Sequence, residues 1–464
     1  MKGMTLKQIA AACGGNIILP EGYVPDDREA QGVVIDSRQV EEGFVFIATK
    51  GARVDGHSFI EQVAAKGAMA AVVEDVPEVL YLPCIQVKDS FKALKDIASY
   101  YRGQLNARVV GITGSVGKTS TKEMIASVLS VHYRVLKTEG NFNNEVGLPL
   151  TVLKIKDDTE IAVLEMGISE FGEMTRLSAI ARPDICVITN IGTCHLENLG
   201  DRDGVLKAKT EIFTSLNPEG YAVLYGDDDK LSLIESVNGK NPIRYGSSSD
   251  FDVFVTEVES RGLLGSKAVI CDAMGSARST INAAIPLAGR HMVNNAMAAT
   301  AVAHILGLTE EEIKQGLENV RPTSGRSNII QTDKYILIDD CYNANPTSTK
   351  AAIDLLNDAD GRRVAILGDM FELGDNECEL HGDVGKYCAG QGVDLILCIG
   401  KLSEYMYEGA DISKSKKQSL YYFKTVEEAM QEIPSLLQKG DTVLIKASHG
   451  MHFENIVSAL NKAL

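Results

Sequence analysis

The chain has 464 residues, too many for one hydrophobic core, which predicts about two to four domains. Apolar residues make up 45% and charged residues 23%, as in ordinary globular proteins, and no apolar run approaches the ~18 residues that a membrane span needs. The net charge is −17 and we find no basic stripe, which argues against nucleic acid as a partner.

The cysteines and the N-terminus predict where the protein resides. The nine cysteines are scattered without any C-x-x-C pair, which favours buried thiols in a reducing compartment over a zinc site or a disulfide framework. The first residues, MKGMTLKQIAAACGG, lack the sustained apolar core of a secretion signal. We therefore expect a cytoplasmic protein.

Three segments follow one another along the chain. Residues 1–105 show short strands and turns with helices such as 90–101. In residues 106–320 strands alternate with helices, which predicts a largely parallel sheet covered on both faces. Residues 321–464 open with the turn-rich RPTSGRSN and then begin a second alternating series. The prediction is an α/β fold of three domains.

The central segment begins with GITGSVGKTS at residues 111–120, between the apolar run 107–110 and a helical pattern. A strand, a glycine-rich turn and a helix start predict a phosphate-binding loop, in which backbone N–H groups surround an anion, Lys118 adds charge and Thr119 can bind Mg²⁺. Ile112 stands where the commonest spacing has glycine, so this is the longer G-x-x-G-x-x-G-K-T form. The alternative is a tight turn with a solvated lysine, but the flanking elements favour a nucleoside triphosphate site.

Polar residues close the next apolar runs. Residues 161–164 end in Glu165, and residues 185–188 are followed a few positions later by His195. Because ligands gather at the carboxyl ends of parallel strands, both side chains could reach a metal held by Thr119. Glu165 could equally be a surface charge or a helix cap, and a lone histidine is often structural.

A lysine lies on an apolar helical face in residues 203–216. The apolar positions of that stretch trace one face, which includes Lys209 and excludes Lys207. Burial favours the neutral amine, and a neutral lysine can take up CO₂ to become a carbamate, an oxygen ligand for a cation. The residues alone favour the alternative of a packed stem with a solvated ammonium.

In the third segment the run 335–338 ends in Asp339-Asp340, followed by CYNANP. A strand-end aspartate suits ribose hydroxyls and an asparagine amide can pair with an adenine edge, so this loop could close over the nucleotide. The run 443–445 likewise ends in KASHG. Polar groups are therefore predicted along one edge of two sheets.

Together these segments resemble the Mur ligase family, and the resemblance covers essentially the whole chain. The motifs that carry it occur in the family's order: DSRQVEEGFVFIATKGARVDGHSFI (36–60), GITGSVGKTS (111–120), TEGNFNNEVGLP (138–149), LEMG (164–167), TNIGTCHLENLG (189–200), AKTEIF (208–213), GRHMVNNAMAA (289–299), SGR (324–326) and DDCYNANPTSTKAA (339–352). The nearest branch is the one that adds a dipeptide.

The resemblance implies a domain for the UDP end of the substrate at 1–105, a central P-loop ATPase at 106–320 and a Rossmann-like domain at 321–464. It implies an ATP-dependent ligase that forms a C–N bond, joining D-alanyl-D-alanine to UDP-N-acetylmuramoyl-tripeptide through an acyl phosphate. This is a step of peptidoglycan precursor synthesis, on which cell-wall biogenesis, cell shape and cell division depend. The expected state is a cytoplasmic monomer without membrane insertion.

The resemblance also implies a set of site residues, with Lys118, His195 and Lys209 as the catalytic ones. The phosphate loop would be Gly114, Ser115, Val116, Gly117, Lys118, Thr119 and Ser120. Thr119 and Glu165 would hold one Mg²⁺, and His195 with carbamylated Lys209 a second. The adenosine and phosphates would contact Asn295, Arg326, Asp340, Asn343 and Asn345, and the uridine or its phosphates Asp36, Ser37 and Arg38.

Some residues depart from the family pattern. KASHG at 446–450 replaces the common Lys-Gly-Ser-Arg-Gly, Met292 stands where asparagine is usual, and ISEFGEM at 168–174 differs from the usual stretch. The chain lacks the Asp-Asn-Pro-Arg box of the third-residue-adding branch, but that branch and a folylpolyglutamate-type ligase stay as alternatives. An alternative of another class is a P-loop nucleotide switch or binding module.

Overall fold

The computed structural model describes residues 1–51 and 54–462. Residues 52–53 of the motif at 36–60, and the last two residues of the third predicted segment, lie outside this description. Within the described ranges the strands form three sheets, of five, nine and six strands. The predicted α/β class is confirmed.

The first sheet has the strand order β1-β5-β4-β3-β2. Strands β2 to β5 are parallel, and β1 pairs antiparallel with β5. The strands are β1 (Asn16–Ile18), β2 (Gly32–Val34), β3 (Phe44–Ile47), β4 (Ala70–Val73) and β5 (Cys84–Gln86), and the helices are α1 (Leu6–Cys13), α2 (Ile60–Ala65) and α3 (Ser90–Arg102).

The central sheet has the order β14-β13-β12-β11-β10-β9-β6-β8-β7. Its strands are β6 (Arg108–Thr113), β7 (Val135–Lys137), β8 (Ile161–Glu165), β9 (Ile185–Ile188), β10 (Tyr221–Tyr225), β11 (Ile243–Gly246), β12 (Val253–Ser260), β13 (Ser266–Asp272) and β14 (Ser279–Ile285). Its helices are α4 (Lys118–Leu129), α5 (Gly147–Leu153), α6 (Glu173–Ala181), α7 (Leu196–Leu199), α8 (Arg202–Thr210), α9 (His291–Ile305) and α10 (Glu310–Glu318).

This sheet is parallel from β7 to β12, as predicted, and then becomes antiparallel. The reason is the short connection between β12 and β13, which is long enough for a hairpin but too short for the crossover that a parallel neighbour requires. The parallel part brings the carboxyl ends of β6, β8 and β9 to one edge.

The third sheet has the order β15-β16-β20-β17-β18-β19, parallel except for β15 at one edge. Its strands are β15 (Asn328–Gln331), β16 (Ile336–Asp339), β17 (Arg363–Gly368), β18 (Leu395–Ile399), β19 (Ser419–Phe423) and β20 (Thr442–Lys446). Its helices are α11 (Pro346–Asn357), α12 (Glu377–Gly390), α13 (Ser403–Ser413), α14 (Val426–Leu436) and α15 (Glu454–Lys462).

Apolar packing connects the first sheet to the central one. One core contains residues of α1 and α3 together with residues of α5, α6 and β8. Two hydrogen bonds cross the same boundary, from Tyr101 Oη to Ile155 O at 2.6 Å and from Arg102 Nε to Ala181 O at 2.8 Å. All nine cysteines lie in the described ranges and are free thiols; six are buried, as predicted, whereas Cys13, Cys271 and Cys378 are half-buried. No helix of the described residues has the length and apolar character to cross a membrane.

Candidate active site

The loop between β6 and α4 has the predicted strand, turn and helix arrangement, although β6 continues to Thr113. Gly114 and Gly117 adopt φ angles of 146° and 85°, which residues with a side chain rarely adopt. A Cβ on Gly114 would lie 2.0 Å from Thr189 Oγ1, so a larger residue does not fit. The first N–H groups of α4 have no acceptor within the helix and are free to bind an anion.

The residues that follow β9 hold this loop in shape. Ser115 N donates to Asn190 O and Val116 N to Asn190 Oδ1, both at 3.0 Å. Thr189 Oγ1 donates to Val116 O at 2.6 Å. Two amides that the sequence assigned to phosphates are therefore used within the protein, which leaves the amides at the start of α4 for an anion.

Lys118 places a positive charge at the centre of the loop. Its Nζ donates to Gly114 O at 2.8 Å. Burial lowers the pKa of this ammonium, against the opposing effect of Cys194 and Glu165. A buried cation is stabilised more strongly by a neighbouring anion than a solvated cation is, because less water screens the two charges.

Thr119 and Glu165 meet, as the sequence predicted. Thr119 Oγ1 donates to Glu165 Oε2 at 2.9 Å, and Asn143 Nδ2 donates to Glu165 Oε1 at 2.9 Å. Glu165 is 1% exposed. A hydroxyl and a carboxylate side by side are the hard oxygen donors that Mg²⁺ prefers, so this pair fits one magnesium ion. Asn143 was assigned no role in the sequence analysis, although it lies in the motif at 138–149.

Lys209 is 1% exposed on α8, whereas Lys207 is exposed, so the predicted burial is confirmed. The α-helix is shorter than predicted: α8 ends at Thr210, and a 3₁₀ turn follows at Glu211–Ser215. Burial lowers the pKa of the Lys209 ammonium to about 8, with Cys194 opposing the shift and Lys118 adding to it. The neutral amine is therefore accessible near neutral pH.

His195 precedes the short helix α7 and contacts a loop of the third sheet. Its Nδ1 lies 2.6 Å from Glu372 Oε2. Both residues have the left-handed backbone, with φ angles of 53° and 62°. The imidazole holds the pKa of Glu372 below its usual range.

A second metal ion would need ligands in addition to Thr119 and Glu165. Among residues 1–51 and 54–462 there is no group of three His, Cys, Asp or Glu side chains that could hold a metal. His195 supplies a nitrogen and Lys209 an amine. Neither side chain supplies an oxygen donor as it stands, so a second ion at these residues would require the oxygen donors of a carbamate on Lys209.

A cavity of about 480 Å³ lies between the central and third sheets. Most of the predicted site residues line it: Ser115, Val116, Gly117, Lys118, Ser120, Glu165, His195, Asn295, Arg326, Asp340, Asn343 and Asn345. Gly114, Thr119 and Lys209 are not part of its wall. The structure thus brings together residues that are more than 200 positions apart in the sequence.

The wall from the third sheet depends on Lys446, which the sequence analysis placed at the end of an apolar run without assigning it a role. Lys446 is 2% exposed, its Nζ lies 2.6 Å from Asp340 Oδ2, and it donates to Asn343 O at 2.9 Å. Asp340 Oδ1 also accepts from Ser327 N at 2.9 Å. The usable signal was a lysine at the end of an apolar run, where a parallel strand opens towards ligands.

Two predicted asparagines have structural partners as well. Asn345 Oδ1 accepts from Ser348 N at 2.8 Å and caps α11. Asn295 Oδ1 accepts from Thr121 Oγ1 at 3.0 Å, which directs its amide nitrogen to Met292 Sδ at 3.4 Å. Met292, one of the departures noted above, therefore contacts the asparagine of the same motif.

A second cavity, of about 930 Å³, lies between residues of the first sheet and residues of the central segment. Of the three residues expected near the uridine, Asp36 lines it, whereas Ser37 and Arg38 are not part of its wall. Asp36 accepts from Arg38 N at 2.9 Å and pairs with the Arg38 guanidinium at 2.7 Å. These hydrogen bonds hold the pKa of Asp36 below its usual range.

The cavity with its phosphate loop defines a nucleotide-binding site, and the chain belongs to the Mur ligase family, a family of ATP-dependent ligases. Three family models match in order: "Mur ligase family, catalytic domain" at residues 29–102, "Mur ligase middle domain" at 112–303 and "Mur ligase, glutamate ligase domain" at 325–449.

Among its relatives is the UDP-N-acetylmuramoyl-tripeptide–D-alanyl-D-alanine ligase of Bacillus subtilis, 40% identical over 98% of both chains. A crystal structure of MurF from Acinetobacter baumannii superposes with a TM-score of 0.87 at 34% identity over 99% of both chains. The Thermotoga maritima MurF ligase in complex with ADP gives 0.80 at 30% identity, covering 93% of this chain and 97% of that one.

Proposed function

We propose that this protein joins D-alanyl-D-alanine to UDP-N-acetylmuramoyl-tripeptide with ATP, acting as a monomer in peptidoglycan precursor synthesis. The observation that carries the proposal is the cavity between the central and third sheets, where a phosphate loop faces a second polar wall. A nucleotide that is held from two sheets is positioned for phosphoryl transfer to a carboxylate bound beside it.

The chemistry begins with a carboxylate, which is a poor acyl donor. The peptide carboxylate attacks the γ-phosphorus of ATP and ADP leaves, so an acyl phosphate forms. The amine of the dipeptide then attacks the acyl carbon, and phosphate leaves from the tetrahedral intermediate after the nitrogen loses a proton. No protein nucleophile is required, because positioning and charge stabilisation supply the catalysis.

Each part of the cavity has a role in this proposal. Lys118 and the first amides of α4 hold the phosphates, and Arg326 adds positive charge opposite them. Thr119 with Glu165 would hold one Mg²⁺, and His195 with carbamylated Lys209 a second. Bound magnesium neutralises the charge on the phosphate oxygens.

The third sheet provides the remaining contacts. Asp340 and Asn343 face the adenosine while Lys446 holds them in place, and Asn295 lies on the opposite wall. The Asn345 side chain caps α11 and so contributes through the shape of its loop.

We assign the UDP end of the substrate to the cavity between the first and central sheets. Its wall combines Asp36 with the aromatic side chains of Phe44 and Phe142, which suits a nucleotide base and its polar edge. The corresponding domains are 1–105 for the UDP end, 106–320 for ATP and 321–464 for the amine.

The test is a phosphate-release assay with defined substrate pairs. We expect ADP and phosphate only when ATP, UDP-N-acetylmuramoyl-tripeptide and D-alanyl-D-alanine are all present. Replacing the tripeptide with the dipeptide precursor and supplying lysine or diaminopimelate tests the third-residue-adding alternative. ATP hydrolysis at a rate that does not depend on the UDP-peptide or on D-alanyl-D-alanine would favour a nucleotide switch.

A further inference from the structure

The connection between α10 and β15 carries Arg326 into the cavity with a fixed backbone. Gly325 and Ser327, on either side of Arg326, have φ angles of 73° and 48°. Gly325 N donates to Asp339 Oδ2 at 2.8 Å, and Ser327 N donates to Asp340 Oδ1 at 2.9 Å. The end of β16 therefore holds the backbone on both sides of the arginine.

The side chain of Arg326 has a partner of its own, the ring of Tyr342. The Arg326 Cζ atom lies 4.2 Å from the ring centroid, inside the range of a cation–π contact. Tyr342 N donates to Gly325 O at 3.2 Å, so the ring and the connection are also linked through the backbone. The ring stacks on His449 as well, with centroids 5.5 Å apart and planes at 28°.

Both Arg326 and Tyr342 line the cavity that contains Lys118. An arginine that is free in solution must lose rotamer freedom when it binds a phosphate, and this loss weakens binding. A flat aromatic partner restricts the guanidinium before the ligand arrives while leaving its N–H donors at the edge of the plane.

We propose that Tyr342 is a positioning residue for ligand binding by Arg326: its ring holds the guanidinium over the cavity, ready for the nucleotide phosphates. The inference rests on the proposed function of this cavity as the ATP site. The competing role for Tyr342 is direct stacking of its ring on the nucleotide base, as a base platform. We favour positioning because the ring already contacts both Arg326 and His449.

The experiment is calorimetric titration of the full-length protein with MgADP. We expect Tyr342→Leu to weaken binding by about 3- to 30-fold, the range that a partly desolvated cation–π contact represents. Tyr342→Phe keeps the ring and is expected to stay within about twofold of the parent protein. Tyr421→Leu, which removes an exposed tyrosine of β19, is the matched control and should leave binding unchanged.

A double-mutant cycle separates positioning from a direct contact. In an Arg326→Met background, Tyr342→Leu should cause little further loss, because the group it positions is absent. A full additional loss in that background would overturn the proposal and indicate a base platform. Parent-like binding by Tyr342→Leu would overturn it as well. Thermal unfolding is recorded for each variant, and Tyr342→Met replaces the leucine variant if the latter does not fold.

The result is independent of the ligation assay. MgADP binding needs neither the UDP-peptide nor the dipeptide, so a protein that binds MgADP but never ligates would refute the proposed function and leave this cycle interpretable. A normal ligase with an additive cycle would refute the role of Tyr342 alone.

Discussion

The buried amine of Lys209 leads to a quantitative prediction about CO₂. With a pKa of about 8, roughly 10% of the side chain is neutral at pH 7, against about 0.03% for an ordinary lysine. The reactive form is therefore enriched about 300-fold over that of a solvent-exposed lysine. We expect Lys209 to form a carbamate at neutral pH while Lys207, exposed on the same helix, does not.

The assay is carbon NMR of the protein in ¹³C-labelled bicarbonate. A carbamate signal is expected in the parent protein and in Lys207→Ala, and its loss is expected in Lys209→Ala. The amine becomes protonated as the pH falls, so at constant dissolved CO₂ the signal should decline as the neutral fraction drops from about half at pH 8 to about 1% at pH 6.

Turnover provides the second readout. Lys209→Ala should lose most activity at saturating ATP and Mg²⁺, and formate or acetate should restore part of it by placing a carboxylate in the space of the carbamate. Lys207→Ala should keep parent activity. Full activity of Lys209→Ala, or the absence of a ¹³C signal that depends on Lys209, would refute the reasoning.

Three further variants test other parts of the site. Glu165→Ala should raise the Mg²⁺ concentration required for half-maximal activity, because the ion loses a carboxylate; an unchanged metal titration would contradict the assignment. Lys446→Met should lower the free energy of unfolding by about 3–5 kcal/mol, since Asp340 loses its buried cation. Calorimetry checks this, and an unchanged unfolding midpoint would argue against it. Asp36→Ala should raise the KM for the UDP-peptide while the KM for ATP stays constant, and equal changes in both would count against a uridine role.

The local parts of the site could be predicted because they depend on short stretches of chain. The phosphate loop follows from glycine spacing between a strand and a helix, and Glu165 follows from its place at a strand end. Helical periodicity places Lys209 on the buried face, but the residues alone favoured a solvated ammonium there, and the structure buries the whole side chain. In each case the determining contacts lie within one element or between neighbouring strands.

What the sequence did not reveal depends on contacts between distant segments. Lys446 and Asp340 pair across 106 positions, and this contact exists because β16 and β20 are neighbours in the sheet. Asn190 accepts hydrogen bonds from two amides of the phosphate loop because β9 lies beside β6. Neither the residue type of Asn190 nor its place in the sequence specifies this contact. Periodicity describes which face of an element is buried but does not identify the partner.

The contact between His195 and Glu372 links metal binding to the relative position of the central and third sheets. One end of the contact belongs to the loop after β9 and the other to the loop after β17, so any swing of the third sheet lengthens or shortens it. Glu372 would either compete with a metal ion for the imidazole or bind the ion together with it. By reciprocity, whatever docking does to the ion's affinity, the ion does to docking. The affinity of a metal at His195 and the position of the third sheet would then be coupled.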